Sequence, residues 1–173
     1  MQFGIIGGGS WATALAKILT DNGNTIHWYI RNEESIQSFK KRRHNPHYLS
    51  SAYFNPAQLH LDADINAVIE ASEVVVVAVP SAYVEEALLQ VSPEKWTGKK
   101  IVSAVKGITP TNNQLLHEFL AAHFQIPLEQ YFTLLGPCHA EEVAAEKLSY
   151  LTFSGVDAGQ TEAIAKYFTT DYI

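Results

Sequence analysis

Apolar positions fall into two alternating patterns along the chain. Short, continuous apolar runs read as strands: Phe3 to Ile6, Thr25 to Ile30, Leu59 to Leu61, Val74 to Val79, Lys100 to Val105, Tyr131 to Leu135 and Tyr150 to Phe153. Between them come segments with helical spacing. Ser10 to Leu19 places Ala14, Leu15, Ile18 and Leu19 on one stripe, and Asn22-Gly23-Asn24 ends it. Asn32-Glu33-Glu34 looks like an N-cap with acid in the first turn, opening a helix that buries Ile36 and Phe39 and closes in Lys40-Lys41-Arg42-Arg43. Further helices are expected over Asp64 to Ala71, Ala82 to Leu89, Thr111 to Phe124, His139 to Lys147 and Ala158 to Phe168. Asn45 to Gln58, with Pro46 and Pro56, reads as irregular.

Val74 to Val79 is nearly all β-branched and shows no polar alternation, as expected of a strand buried on both faces of a parallel sheet. Strands that alternate with helices in this way predict an α/β fold: a doubly wound, mostly parallel sheet with helices on both faces. The 173 residues make one domain of ordinary size. Asp171-Tyr172-Ile173 reads like the start of another strand, so the chain is expected to be a fragment.

The first strand runs into Gly7-Gly8-Gly9-Ser10-Trp11-Ala12, a G-x-G-x-x-A pattern, and a helix opens at once. Gly7 permits the tight turn, Gly9 lets a pyrophosphate approach the backbone, and a small residue at 12 lets helix and sheet pack closely. The helix start then offers free N–H groups and a positive dipole end to phosphates. Strand, loop and helix in that order predict a Rossmann-type, dinucleotide-binding fold, the alternative being a purely structural glycine turn. The second strand ends in Tyr29-Ile30-Arg31-Asn32 with no carboxylate at its tip. Arg31 suits a ribose 2′-phosphate, which favours NADPH over NADH, although Glu33 and Glu34 leave NADH use open. Lys40 to Arg43 either add charge on that side or complement a helix C-terminus.

Lys106, at a strand end before Gly107, is expected to project into the crevice and hold a substrate phosphate or polarise a carbonyl. Gly136-Pro137 is expected to expose backbone N–H groups at a helix start. Cys138 beside His139 lacks an orienting partner and is not expected to act as a nucleophile.

Composition narrows the classes. A net charge of −6 supplies no basic field for nucleic acid, and one cysteine excludes an internal disulfide. The seven histidines show no metal-ligand spacing, so no metal is expected. The longest apolar run is too short to span a bilayer, and the N-terminal stretch lacks a basic lead-in, so a cytoplasmic protein is expected.

Gly7 through Ala16, Trp28 through Arg31, Asn45 with Tyr48-Leu49, Ala78-Val79-Pro80-Ser81, Lys106-Gly107, and Gly136-Pro137 with Ala140 and Glu142 occur together and in order. In this they resemble the N-terminal half of bacterial glycerol-3-phosphate dehydrogenase [NAD(P)+]. The resemblance spans nearly the whole chain. It implies NAD(P)H-dependent reduction of dihydroxyacetone phosphate to sn-glycerol 3-phosphate for phospholipid synthesis. It also implies that Ser10, Trp11, Arg31 and Ala140 contact the cofactor. Lys106 would touch both cofactor and substrate phosphate, with Gly136 and position 138 near the substrate. Ala12 stands where the family usually has Gly, and Cys138 where Ser or Thr is common, which would weaken a substrate contact. The family's proton-transferring lysine belongs to a helical C-terminal domain, expected beyond Ile173, so the isolated chain is expected not to turn over. The full-length protein is expected to be a homodimer. Two other readings remain open: a different two-domain dehydrogenase acting on a hydroxy acid or sugar acid, and a free-standing NAD(P)H-sensing module.

Overall fold

The computed structural model describes residues 1–173. Seven strands form one sheet: β1 (Phe3–Ile6), β2 (Ile26–Tyr29), β3 (Leu59–Asp62), β4 (Val74–Val77), β5 (Lys100–Ser103), β6 (Tyr131–Leu135) and β7 (Thr152–Ser154). Their spatial order is β3-β2-β1-β4-β5-β6-β7. All neighbours are parallel except β6 and β7, which run antiparallel with Leu135 opposite Thr152. The doubly wound, mostly parallel reading therefore holds. The strand order reverses between β1 and β4, where such sheets open a crevice at their carboxyl ends.

Seven α-helices connect and cover the strands: α1 (Ser10–Asp21), α2 (Glu33–Arg42), α3 (Ile65–Glu70), α4 (Ser81–Leu88), α5 (Leu116–Phe124), α6 (Ala140–Ala144) and α7 (Ala158–Ala165). The two-residue side-chain period of the strands sorts the core into two layers. Phe3, Ile5, Val74, Val76 and Val102 pack with residues of α1, α2, α6 and α7 on one face. Ile6, Val75, Val77 and Ile101 pack with α3, α4 and α5 on the other. Each of these nine strand residues is fully buried, so both faces are covered.

Local chemistry sets several helix ends. Asn32 caps α2 by accepting from the N–H groups of Glu34 and Ser35 at 2.8 and 3.2 Å, as its sequence context suggests. Gly23, with φ of +86°, takes the chain out of α1.

Several expected boundaries move. β4 ends at Val77 and β7 begins only at Thr152. The helix expected from Thr111 starts at Leu116, because Thr109 to Gln114 close into a loop of their own. The helix expected over His139 to Lys147 is a short piece, Ala140–Ala144. The tail is not a strand either: Tyr172 is buried, and its hydroxyl donates to Asp21 of α1 at 2.7 Å. Asp21 also accepts from Lys17 at 2.6 Å, and Lys17 reaches Glu146 beyond α6 at 2.9 Å. Burial works against the Lys17 charge, but these two carboxylates outweigh it and its pKa is raised. No helix is long and apolar enough to cross a membrane.

Candidate functional site

The crevice at the reversal point is built on the loop between β1 and α1. Gly7 sits at φ +131°, and a Cβ there would lie 2.5 Å from the carbonyl oxygen of Ala78 at the end of β4. Only glycine lets the two strand ends meet this closely. At Gly8 and Gly9 the situation is reversed: an added Cβ would meet nothing within 4 Å. These two residues border open space.

The loop's carbonyls are tied down. Trp28 Nε1 donates to the Gly7 carbonyl at 2.7 Å, and Asn45 Nδ2 donates to that of Gly8 at 3.1 Å. The Gly9 carbonyl accepts from both the backbone N–H and the hydroxyl of Thr13, at 3.0 and 2.8 Å. Asn45 also donates to the Thr13 hydroxyl at 2.8 Å, while its side-chain Oδ1 accepts from the His47 and Tyr48 N–H groups. Trp28, Thr13 and Asn45 are all buried, which fixes this scaffold against solvent. The residues stand in the sequence reading, but their shared role as struts under the loop was not legible there. Their partners lie up to 37 residues away.

Carbonyls held in this way leave the amide side of the loop and the first turn of α1 for a ligand. The N-cap of α1 is Gly9, no side chain caps it, and no acid lies in its first turn. Twelve residues of aligned peptide dipoles thus end in uncapped N–H groups beside open space. This arrangement can bind anionic oxygen. Ala12 is fully buried under it and meets the need for a small residue at that position.

Trp11 and Lys106, 95 positions apart, meet at the same place. The Lys106 amine stands 5.9 Å from the centroid of the Trp11 ring. Lys106 is exposed and makes no ion pair, so its charge is free to face a ligand. Ser10 opens α1 beside it. Arg31, just ahead of the α2 cap, is likewise exposed and without an ion pair. The run Lys40 to Arg43 sits at the other end of α2, about 15 Å along its axis, and complements the helix C-terminus. It does not join Arg31.

The β6–α6 rim differs from its sequence reading. A Cβ at Gly136 would lie 2.4 Å from the Tyr150 carbonyl, so glycine there serves close packing against the segment leading to β7. The Cys138 thiol is buried and donates to that same carbonyl at 3.4 Å. Its side chain is committed to the backbone of Tyr150. Ala140, the first residue of α6, is buried in the apolar layer that also holds Ala12 and Ala14 of α1. The first turn of α6 begins at Ala140, one residue after the expected start at His139 and three after Pro137.

A cavity of about 280 Å3 lies apart from this crevice, at the β2–β3 edge of the sheet, where His27, Lys40, His60 and Asp62 line it. The rings of His27 and His60, in register on neighbouring strands, stack at 4.9 Å. Burial, helped by His60, pushes the His27 pKa below its ordinary value. No residue of the glycine loop borders that cavity. No three His, Cys, Asp or Glu side chains converge as a metal-ligand set.

Comparison with known proteins fits this geometry. The family model for the NAD-dependent glycerol-3-phosphate dehydrogenase N-terminus matches residues 2–160. Glycerol-3-phosphate dehydrogenase [NAD(P)+] of Lacticaseibacillus casei is 30% identical over 178 residues, covering 99% of this chain and 51% of that protein. The Pseudomonas savastanoi enzyme of the same name is 33% identical over 162 residues, covering 94% and 45%. The crystal structure of glycerol-3-phosphate dehydrogenase from Coxiella burnetii superposes with a TM-score of 0.85 at 23% identity, over 99% of this chain and 51% of that one. The chain spans about half the length of the curated relatives it matches.

Proposed function

The chain belongs to the family of NAD-dependent glycerol-3-phosphate dehydrogenase N-termini, and from that premise we propose that it is the cofactor-binding half of such an enzyme. The observation that carries this reading is the open space at Gly8 and Gly9 beside the uncapped start of α1, with the loop carbonyls already occupied. A pyrophosphate fits that cradle, since its oxygens would take up the free N–H groups of the first turn.

In this reading Gly7 sets the turn, while Gly9, Ser10 and Trp11 receive the pyrophosphate. Arg31 pairs with a ribose 2′-phosphate, so NADPH is preferred to NADH. Ala140 borders the cofactor from the α6 side. Lys106 holds the substrate phosphate and touches the cofactor, its charge undiminished by any ion pair. Gly136 and position 138 flank the substrate through their backbone, because the Cys138 thiol is turned to Tyr150.

The substrate is dihydroxyacetone phosphate and the product sn-glycerol 3-phosphate, a precursor of glycerophospholipids. The bound nicotinamide supplies the hydride. Residues outside this chain supply the proton, including the lysine that the family resemblance implies, so the isolated chain binds cofactor without turning over. The whole enzyme is cytoplasmic and homodimeric in this reading.

Calorimetric titration with NADPH and then NADH, repeated on Arg31→Ala, tests the reading. Binding that favours NADPH, and a preference reduced about tenfold or more in the variant, is expected, since one charge-assisted contact is worth about 1.5–3 kcal/mol. A folded chain that binds neither nucleotide overturns the cofactor assignment. Steady NADPH consumption by the pure chain with dihydroxyacetone phosphate overturns the assignment of proton transfer to residues outside it.

A further inference from the structure

Lys106 forms no ion pair, and apart from the Trp11 ring its side chain has no partner, so the backbone that carries it sets where the amine can reach. The loop that carries it, residues 104 to 115, leaves β5 and enters α5. Its far half closes on itself: Thr109 N–H donates to the Gln114 carbonyl at 2.8 Å, Asn113 N–H to that of Thr109 at 3.1 Å, and Gln114 N–H to the Thr109 hydroxyl at 3.2 Å. Thr109 is 1% exposed at the centre of this knot.

The knot is fastened to α4. Glu85 accepts from the Thr111 N–H at 3.3 Å with one carboxylate oxygen and from the Thr111 hydroxyl with the other. One turn earlier on the same helix, Ser81 meets the near half of the loop. A Cβ at Gly107, where φ is +103°, would lie 3.3 Å from the Ser81 hydroxyl oxygen. Thus α4 fastens the loop at Thr111, and Ser81 lies close beside Gly107 without bonding to it.

Glu85 is an unexpected residue in that place. It is 8% exposed, and its buried neighbours on α4 are Val84 and Leu88. It forms no ion pair. A buried carboxylate without a cation is costly unless donors satisfy it. The donors here come from the loop, with the Thr111 hydroxyl foremost, and they hold the carboxyl below its ordinary range. An apolar side chain would fill the space at lower cost and would leave the loop unfastened.

We infer that Glu85 is a positioning residue, whose carboxylate clamps the β5–α5 loop through Thr111 and so sets the Lys106 amine at the mouth of the crevice beside Trp11. The inference rests on the proposed function for what Lys106 meets there, and on geometry alone for how Lys106 is placed. Glu85 touches neither cofactor nor substrate in this scheme.

The test compares the wild-type chain with Glu85→Gln, which removes the charge from the contact, and Thr111→Val, which removes its hydroxyl donor. Two readouts separate positioning from bulk stability. The first is the amide and indole NMR spectrum without ligand. The Trp11 indole and Gly107 amide signals are expected to shift in both variants, while the Trp28 and Trp96 indoles, buried elsewhere, stay in place. The second is calorimetric affinity for NADPH and for adenosine 2′,5′-bisphosphate, which represents only the adenosine end. Both variants are expected to lose about tenfold in NADPH affinity, or 1.4 kcal/mol, and to keep that for the bisphosphate within about twofold. Unmoved Trp11 and Gly107 signals in a folded Thr111→Val chain, or equal losses for the two ligands, overturn the inference. A wild-type chain that binds neither ligand overturns the proposed function instead, and the NMR comparison then decides the role of Glu85 alone.

Discussion

An extra methyl group at Gly8 or Gly9 would meet nothing within 4 Å, whereas the loop after β5 is knotted through Thr109 and fastened to α4. Both segments face one crevice. The glycine loop offers backbone N–H groups, so its own backbone must be held rigid from beneath, and neutral donors on Trp28, Asn45 and Thr13 do this. The β5–α5 loop offers a long, flexible cation, and only the root of that side chain needs fixing. An ionised carboxylate fixes it from a neighbouring helix. The contrast teaches that a backbone ligand site and a side-chain ligand site need different supports. The first requires every wrong-facing carbonyl to be occupied; the second requires one anchor near the residue that bears the charge.

Four outcomes would sharpen or break that contrast. The largest effect is expected at Gly7, where Gly7→Ala combines a left-handed φ with a Cβ 2.5 Å from the Ala78 oxygen. Stability should fall by about 3 kcal/mol, read as a lowered urea midpoint. Tolerance of alanine would mean the two strand ends can separate.

Asn45→Ala comes next. It removes bonds to the Gly8 carbonyl and the Thr13 hydroxyl and frees the His47 and Tyr48 N–H groups. A loss of about 2 kcal/mol is expected, with weaker NADPH binding alongside. Unchanged affinity in the presence of that destabilisation would show that the strut serves the fold alone.

Gly9→Ala should separate the two properties in the opposite sense. The site is open and its φ of −83° suits any residue, so stability should change by less than about 1 kcal/mol. The added methyl intrudes where the pyrophosphate would sit, and NADPH affinity should drop about tenfold or more. Full affinity would place the nucleotide elsewhere.

The smallest effect concerns acid. The folded-state pKa of Glu85 lies below the ordinary 4.5, chiefly through the Thr111 hydroxyl, so the unfolded chain binds the proton more readily. The contribution is complete above about 4.5 and disappears as pH falls through the lower folded value. Amide signals of Gly107 and Thr111 should therefore move in that acid window, while those of Gly8 and Gly9 stay, since neutral donors hold their loop. Joint movement of both sets would mean that the two lips are supported as one unit.

Much of this was legible without coordinates. Val74 to Val79 announced a strand covered on both faces, and the structure buries Val74 through Val77 completely. Asn32 reads as a cap, and Gly7, Ser10 and Ala12 read as a tight turn, a helix start and a small packing residue, which is what the structure shows. Those features depend on neighbours within a few residues, so periodicity and turn chemistry reveal them. Boundaries governed by distant partners were not readable. Thr111 to Leu115 have helical spacing, but Glu85, 26 residues earlier, holds Thr111 in a loop. Lys147 falls outside α6, whose trailing Glu146 adopts φ of +55° and pairs with Lys17, 129 positions away. The strand-like tail gives way to a turn because Tyr172 finds Asp21 on α1.

The candidate site divides along the same line. By itself the sequence singled out the candidate residues of the proposed site, the glycine loop, Arg31 and Lys106, since their types and their places after strand ends are local facts. The tertiary structure alone decided which of them meet, and what supports them. It brought Lys106 to Trp11, kept the Lys40–Arg43 run away from Arg31, and turned the Cys138 thiol to Tyr150. It also recruited Trp28, Asn45 and Glu85 as supports. A buried polar group must find its partner wherever the packed chain provides one, and sequence distance places no limit on where that is.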